Sequence, residues 1–171
     1  MTEKINLPEY WLRGPVYPIP ALLQPVAHAL LQAQEEINNL MLSFQDHLLF
    51  KRPAGVASPA FHILHICGVL DRLFTYAKAE TLSNIQLAYL KAEPAEQENI
   101  SVAYLLQQLN AQISKALQQL TETNEDTLTD KRTVGRKQLP STVGGLLFHA
   151  AEHTMRHAGQ LMVTVKMIKP T

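Results

Sequence analysis

The stretch Leu146-Leu147-Phe148-His149-Ala150-Ala151-Glu152-His153-Thr154-Met155-Arg156-His157-Ala158-Gly159-Gln160 decides how the chain is read. Residues four apart on a helix differ by ~40° in direction and ~6 Å in height, so His149, His153 and His157 form one stripe. Leu146, Ala150, Leu161 and Val165 fall close to the same side, which turns part of that stripe toward an apolar interior. Imidazoles placed there need polar partners. A metal ion is one, because two histidines at this spacing can converge on a cation with bonds of ~2 Å. His149 and His157 lie ~12 Å apart along the axis, beyond one coordination shell. The spacing therefore predicts a pair plus a ligand from elsewhere.

A second segment offers that ligand: Phe61-His62-Ile63-Leu64-His65-Ile66-Cys67-Gly68-Val69-Leu70-Asp71-Arg72. His62 and His65 share a helical face, and either could cross to meet the pair. Three neutral ligands on two helices would leave coordination positions for water or substrate, as catalytic sites do. The competing reading is a set of hydrogen-bonded core histidines, and the residues alone leave both open. Spacing excludes other arrangements. There is no His-Glu-x-x-His motif, no histidine has a glutamate three positions before it as di-iron bundles require, and no phosphate-binding glycine loop is present. Cys67 points about 200° away from His65 and reads as a small core residue.

The rest of the chain supplies more helices. Prolines 8, 15, 18, 20 and 25 predict an extended arm to about residue 20. Leu22, Val26, Leu30, Ile37, Leu40, Met41 and Phe44 then predict a helix over 21–50. Ser58-Pro59 opens a second to about residue 78, Thr81-Leu82-Ser83 a short connector helix ending before Pro94, and Ser101 a third long helix through Leu120. Residues 121–138 read as a polar stretch, after which Ser141 or Thr142 caps a final helix to about residue 167. With no convincing alternating strand, the expectation is all-α: a four-helix bundle with a proline-rich N-terminal arm and a short connector helix, one domain over 1–171.

Composition narrows the functions. Fifteen Lys plus Arg balance 15 Asp plus Glu, against seven histidines. Zero net charge argues against nucleic acid or an anionic membrane as partner. A lone cysteine forms no internal disulfide, and Met1-Thr2-Glu3-Lys4-Ile5-Asn6 lacks the apolar core of a signal peptide, so a cytoplasmic protein is expected. No stretch is read as reaching the roughly 18 uncharged apolar residues of a membrane span.

The sequence resembles the DinB-like (damage-inducible, YfiT-like) superfamily of metal-binding four-helix bundles. The resemblance rests on Tyr10-Trp11-Leu12-Arg13-Gly14-Pro15, on 61–66 through Leu70-Asp71-Arg72-Leu73, on Val134-Gly135-Arg136-Lys137, and on 149–160. It implies one ligand from the second helix and a His-x-x-x-His pair from the last: His65, His153 and His157. His62 is the alternative to His65, and His149 falls outside the coordination shell in a supporting role. It also implies zinc, nickel or iron, among which nitrogen ligands do not choose by softness alone.

Characterised relatives are metal-dependent thiol transferases or isomerases. The expected function is thus a divalent-metal-dependent thiol transferase, or a hydrolase, with a low-molecular-weight thiol and a small electrophile as partners and a homodimer as the assembly. The alternative is a non-catalytic metal-binding or dimerising helical module. Arg136 and Lys137 could hold an anionic group near the last helix but read as a solvated basic loop. Asp71 and Arg72 read as local surface ion pairs, Glu152 as a salt bridge on a neighbouring face, and Tyr10 and Trp11 as an arm folding back over the bundle.

Overall fold

The computed structural model describes residues 7–93, 95–96 and 100–169. The Met1-to-Asn6 opening and Pro94 lie outside the described residues. The protein is mostly helical: α1 Gln24–Met41, α2 Pro59–Ala77, α3 Asn84–Ala92, α4 Val102–Glu122 and α5 Val143–Ile168. Helices α2 and α1 each pack against both α4 and α5, while α3 lies against α2. Ile37 and Met41 of α1, Ile63 and Leu70 of α2, Leu109 and Ile113 of α4, and Leu147 and Leu161 of α5 meet in the centre, fully buried. Each such side chain contributes about 1.5–3 kcal/mol relative to remaining in water.

The helix starts follow the expected chemistry. Ser58, Ser101 and Thr142 accept hydrogen bonds from the backbone N–H of Phe61, Tyr104 and Gly145 at 3.3, 3.1 and 3.0 Å. Ser83 and Gln86 form a reciprocal capping box on α3. Gln86 also donates to Asp71 Oδ2 and Thr75 Oγ1 at 2.6 and 2.7 Å, pinning α3 to α2. The N-terminal arm folds onto α1: Tyr10 N–H donates to Gln32, and Arg13 grips Glu35 with two hydrogen bonds of 2.7 and 2.8 Å. That guanidinium holds the Glu35 carboxyl below its usual range. Trp11 nevertheless stays 63% exposed.

Three expectations need correction. The first helix ends at Met41 rather than near residue 50, because the chain must turn to bury Phe44 and Leu49 under the helix ends. Asp46 in that turn accepts the Val102 N–H at the start of α4 at 2.8 Å. The stretch before α5 is not strand-free: β1 Lys131–Val134 pairs antiparallel with β2 Leu139–Thr142. Its strands are too short and polar to show alternation, and the turn depends on Gly135 at φ +67°. Finally, residues 53–77 include a window of mean hydropathy 1.4, long and apolar enough to cross a membrane; 61% of that window is buried inside the protein. Its apolarity is that of a central core helix.

Candidate metal centre

Helices α2 and α5 run side by side and bring their histidines together in two pairs. His65 Nε2 lies 3.0 Å from His153 Nε2, and His62 Nδ1 lies 3.0 Å from His157 Nδ1. The rings of His65 and His157, and of His153 and His157, have centroids 4.6 Å apart. One nitrogen from each of His65, His153 and His157 falls within 4.8 Å of the others. Those are the three histidines that the resemblance singles out.

The two supporting histidines part company. His62 is 3% exposed and engages His157 Nδ1, which leaves His157 Nε2 as the remaining donor. A lone pair on that Nε2 requires the proton on Nδ1, donated to His62. His149 sits at the exposed margin, its Nδ1 3.4 Å from Glu152 and its ring centroid 5.3 Å from that of His153.

The electrostatics suit cation binding. Burial pushes His153 down to about 4 and His157 to about 3, with the neighbouring His65 as the next contribution in each case. Burial likewise lowers His62 to about 4, with His65 adding to the effect. These imidazoles are neutral at pH 7 and carry lone pairs. Two ligands on a tetrahedral ion with bonds of ~2.1 Å stand ~3.4 Å apart, so the His65–His153 pair needs to open by only a few tenths of an ångström. Among the described residues His153 Nδ1 is buried without a hydrogen-bond partner, so the ring's polar engagement runs through Nε2, the nitrogen that meets His65. The donor set, two of whose members have Nδ1 already engaged by His62 and Glu93, fits a divalent metal.

Beside the histidines stands a buried ion pair that the sequence reading missed. Glu93, 4% exposed, follows α3; its Oε2 accepts from His65 Nδ1 at 2.8 Å, and its Oε1 accepts from Arg72. Arg72 therefore belongs to the buried surroundings of the centre and not to a local surface pair. The available signal was Gly68, one helical turn from both His65 and Arg72 within the apolar run Ile66–Leu70, where a glycine marks close approach. A Cβ there would lie 2.1 Å from Glu93 Oε1. Phe61 closes another side, stacked on His65 with ring centroids 5.2 Å apart and planes at 11°.

The remaining candidates take ordinary roles. Cys67 is a buried core residue whose thiol is pushed up to about 12 by burial. Glu152 pairs with Arg156 one turn along α5. Asp71 binds Lys115 at 2.6 Å, while Arg136 and Lys137 are exposed beside the hairpin turn.

The fold is similar to the crystal structure of a conserved protein from Enterococcus faecalis, with a TM-score of 0.69 and 18% identity over 88% of this chain and 98% of that one. No curated protein matches the chain. The model of the DinB superfamily matches residues 29–161, a span that holds the five histidines of α2 and α5, Arg72 and Glu93. The chain belongs to the DinB superfamily.

Proposed function

We propose that the chain binds one divalent cation through His65, His153 and His157 and works as a metal-dependent thiol transferase on small electrophiles. The observation that carries the metal reading is the meeting of three imidazole nitrogens within 4.8 Å from two helices, with His65 Nδ1 and His157 Nδ1 already engaged elsewhere. Zinc, nickel and iron all suit such a donor set. Bound there, the ion supplies the Lewis acidity that lowers the pKa of a thiol or of water.

The chain's own residues shape what would react. Cys67 is too buried and too weakly acidic to serve as a nucleophile, so the thiol comes from outside. A hollow of about 240 Å³ shares Phe61 and Glu93 with the centre and is also lined by Phe50, Arg52 and Ser58. Phe50 and Phe61 give it apolar walls, and Arg52 and Glu96 put charges of both signs at its rim. This combination suits a small, partly apolar molecule. A homodimer in a reducing cytoplasm belongs to the same proposal.

The test is thiol consumption by the purified, metal-loaded protein with a panel of low-molecular-weight thiols and electrophiles, with and without chelator. Turnover abolished by chelator and restored by metal is the expected result. Stoichiometric metal without chelator-sensitive turnover for any thiol contradicts the transferase and leaves a metal-binding module.

A further inference from the structure

The geometry points to Glu93 and Arg72 as a positioning pair: the carboxylate fixes His65 as the strongest donor of the centre, and the guanidinium keeps that carboxylate from becoming a ligand itself. This rests on the metal reading above. Both oxygens of Glu93 are assigned, Oε2 to His65 Nδ1 and Oε1 to Arg72. The Glu93, Arg72 and His65 side chains are 3%, 11% and 20% exposed, so water competes little for these bonds. A carboxylate that accepts the Nδ1 proton fixes the tautomer, aims Nε2 and makes it more electron-rich. The other two ligands lack such support: His157 leans on the neutral His62, and His153 Nδ1 has no partner among the described residues.

The surrounding structure holds the pair in place. Tyr89 donates its hydroxyl to Leu64 O at 2.9 Å, fixing the end of α3 that carries Glu93 against α2. At Gly68 an added Cβ would meet Glu93 Oε1 at 2.1 Å, Arg72 Nη1 at 2.6 Å and Tyr89 Cε1 at 2.8 Å, so the pair occupies the notch that this glycine leaves. The charges of Glu93 and Arg72 cancel. The centre therefore keeps the full cationic charge of its ion for an anionic ligand, while His65 retains an anionic partner.

Glu93→Gln preserves shape and removes the charge, and Gly68→Ala displaces an intact carboxylate. Both are compared with the wild type and with Glu152→Gln by cobalt(II) titration against a competing chelator. Visible absorption reports the ligand geometry, and the melting temperature of the metal-free protein reports folding. The expected result is a ~10–100-fold loss of cobalt affinity and a shifted absorption band in both variants, with Glu152→Gln unchanged. Wild-type affinity and spectrum in a folded Glu93→Gln protein overturn the positioning role while leaving the metal reading intact, and a lowered melting temperature with unchanged affinity does the same. Should Glu93→Gln fail to fold, Gly68→Ala decides by the same criteria. A wild type that takes up no cobalt, zinc or nickel overturns both.

Discussion

Two of the helix seams in this protein treat their polar side chains differently. Between α1 and α4, Gln34 and Asn38 both donate to Asn110 Oδ1 at 2.9 Å, and Asn110 donates back to Asn38 at 3.3 Å. This amide cluster satisfies itself. Between α2 and α5, four imidazoles crowd together, three of them held well below their ordinary pKa, and among the described residues His153 Nδ1 has no partner. A satisfied polar seam specifies how helices pack. A seam of desolvated, neutral imidazoles with lone pairs is suited to binding a cation.

The contrast breaks most sharply on ligand removal. His153→Ala or His157→Ala lowers metal affinity more than ~100-fold, beyond the effect expected of a supporting residue, whereas Asn110→Ala leaves it unchanged. Chelator competition checks both. Equal metal loss in the amide variant would erase the distinction between the seams.

The next effect is pH dependence. His62, His153 and His157 sit at about 4, 4 and 3 in the folded protein, against an ordinary 6.5. As pH falls through about 6.5, the unfolded chain takes up protons at these positions while the folded chain does not. Stability of the metal-free protein is therefore fully present above about pH 6.5 and is lost progressively toward about pH 3. Denaturant melts across that range follow it. Asn110→Ala keeps the same slope, because amides do not titrate; a flat wild-type profile is the contrary outcome.

Smaller effects mark the structural seam and the surface. Asn110→Ala costs about 1 kcal/mol of stability, since Gln34 and Asn38 are only partly buried and water replaces part of what they lose. Glu152→Gln has a smaller effect still, because its pairing with Arg156 is a solvent-exposed helical ion pair. Urea unfolding at pH 7 measures both, and a larger loss for Glu152→Gln would give that carboxylate a role the structure does not.

Much of this was legible in the sequence because it depends on local periodicity. Four-residue spacing placed His149, His153 and His157 on one stripe, and Ser58, Ser83, Ser101 and Thr142 marked helix starts through short-range capping. What escaped depends on long-range packing. The choice between His62 and His65 turns on which nitrogen faces which across the α2–α5 seam, and α2 periodicity puts both on one face. Glu93 closes on a residue 28 positions away from a segment whose sequence looks like an acidic linker. The hairpin is held by backbone pairing and a positive-φ glycine, with hardly any apolar pattern to announce it.

The central claim is that His65, His153 and His157 hold one divalent ion. Anomalous diffraction from crystals of the zinc-loaded protein tests it most directly. The account predicts a single strong peak ~2.0–2.1 Å from one nitrogen of each of the three histidines, with His62 still bonded to His157. A peak coordinated by His62 or His149 in place of any of the three, or no peak between α2 and α5, contradicts it.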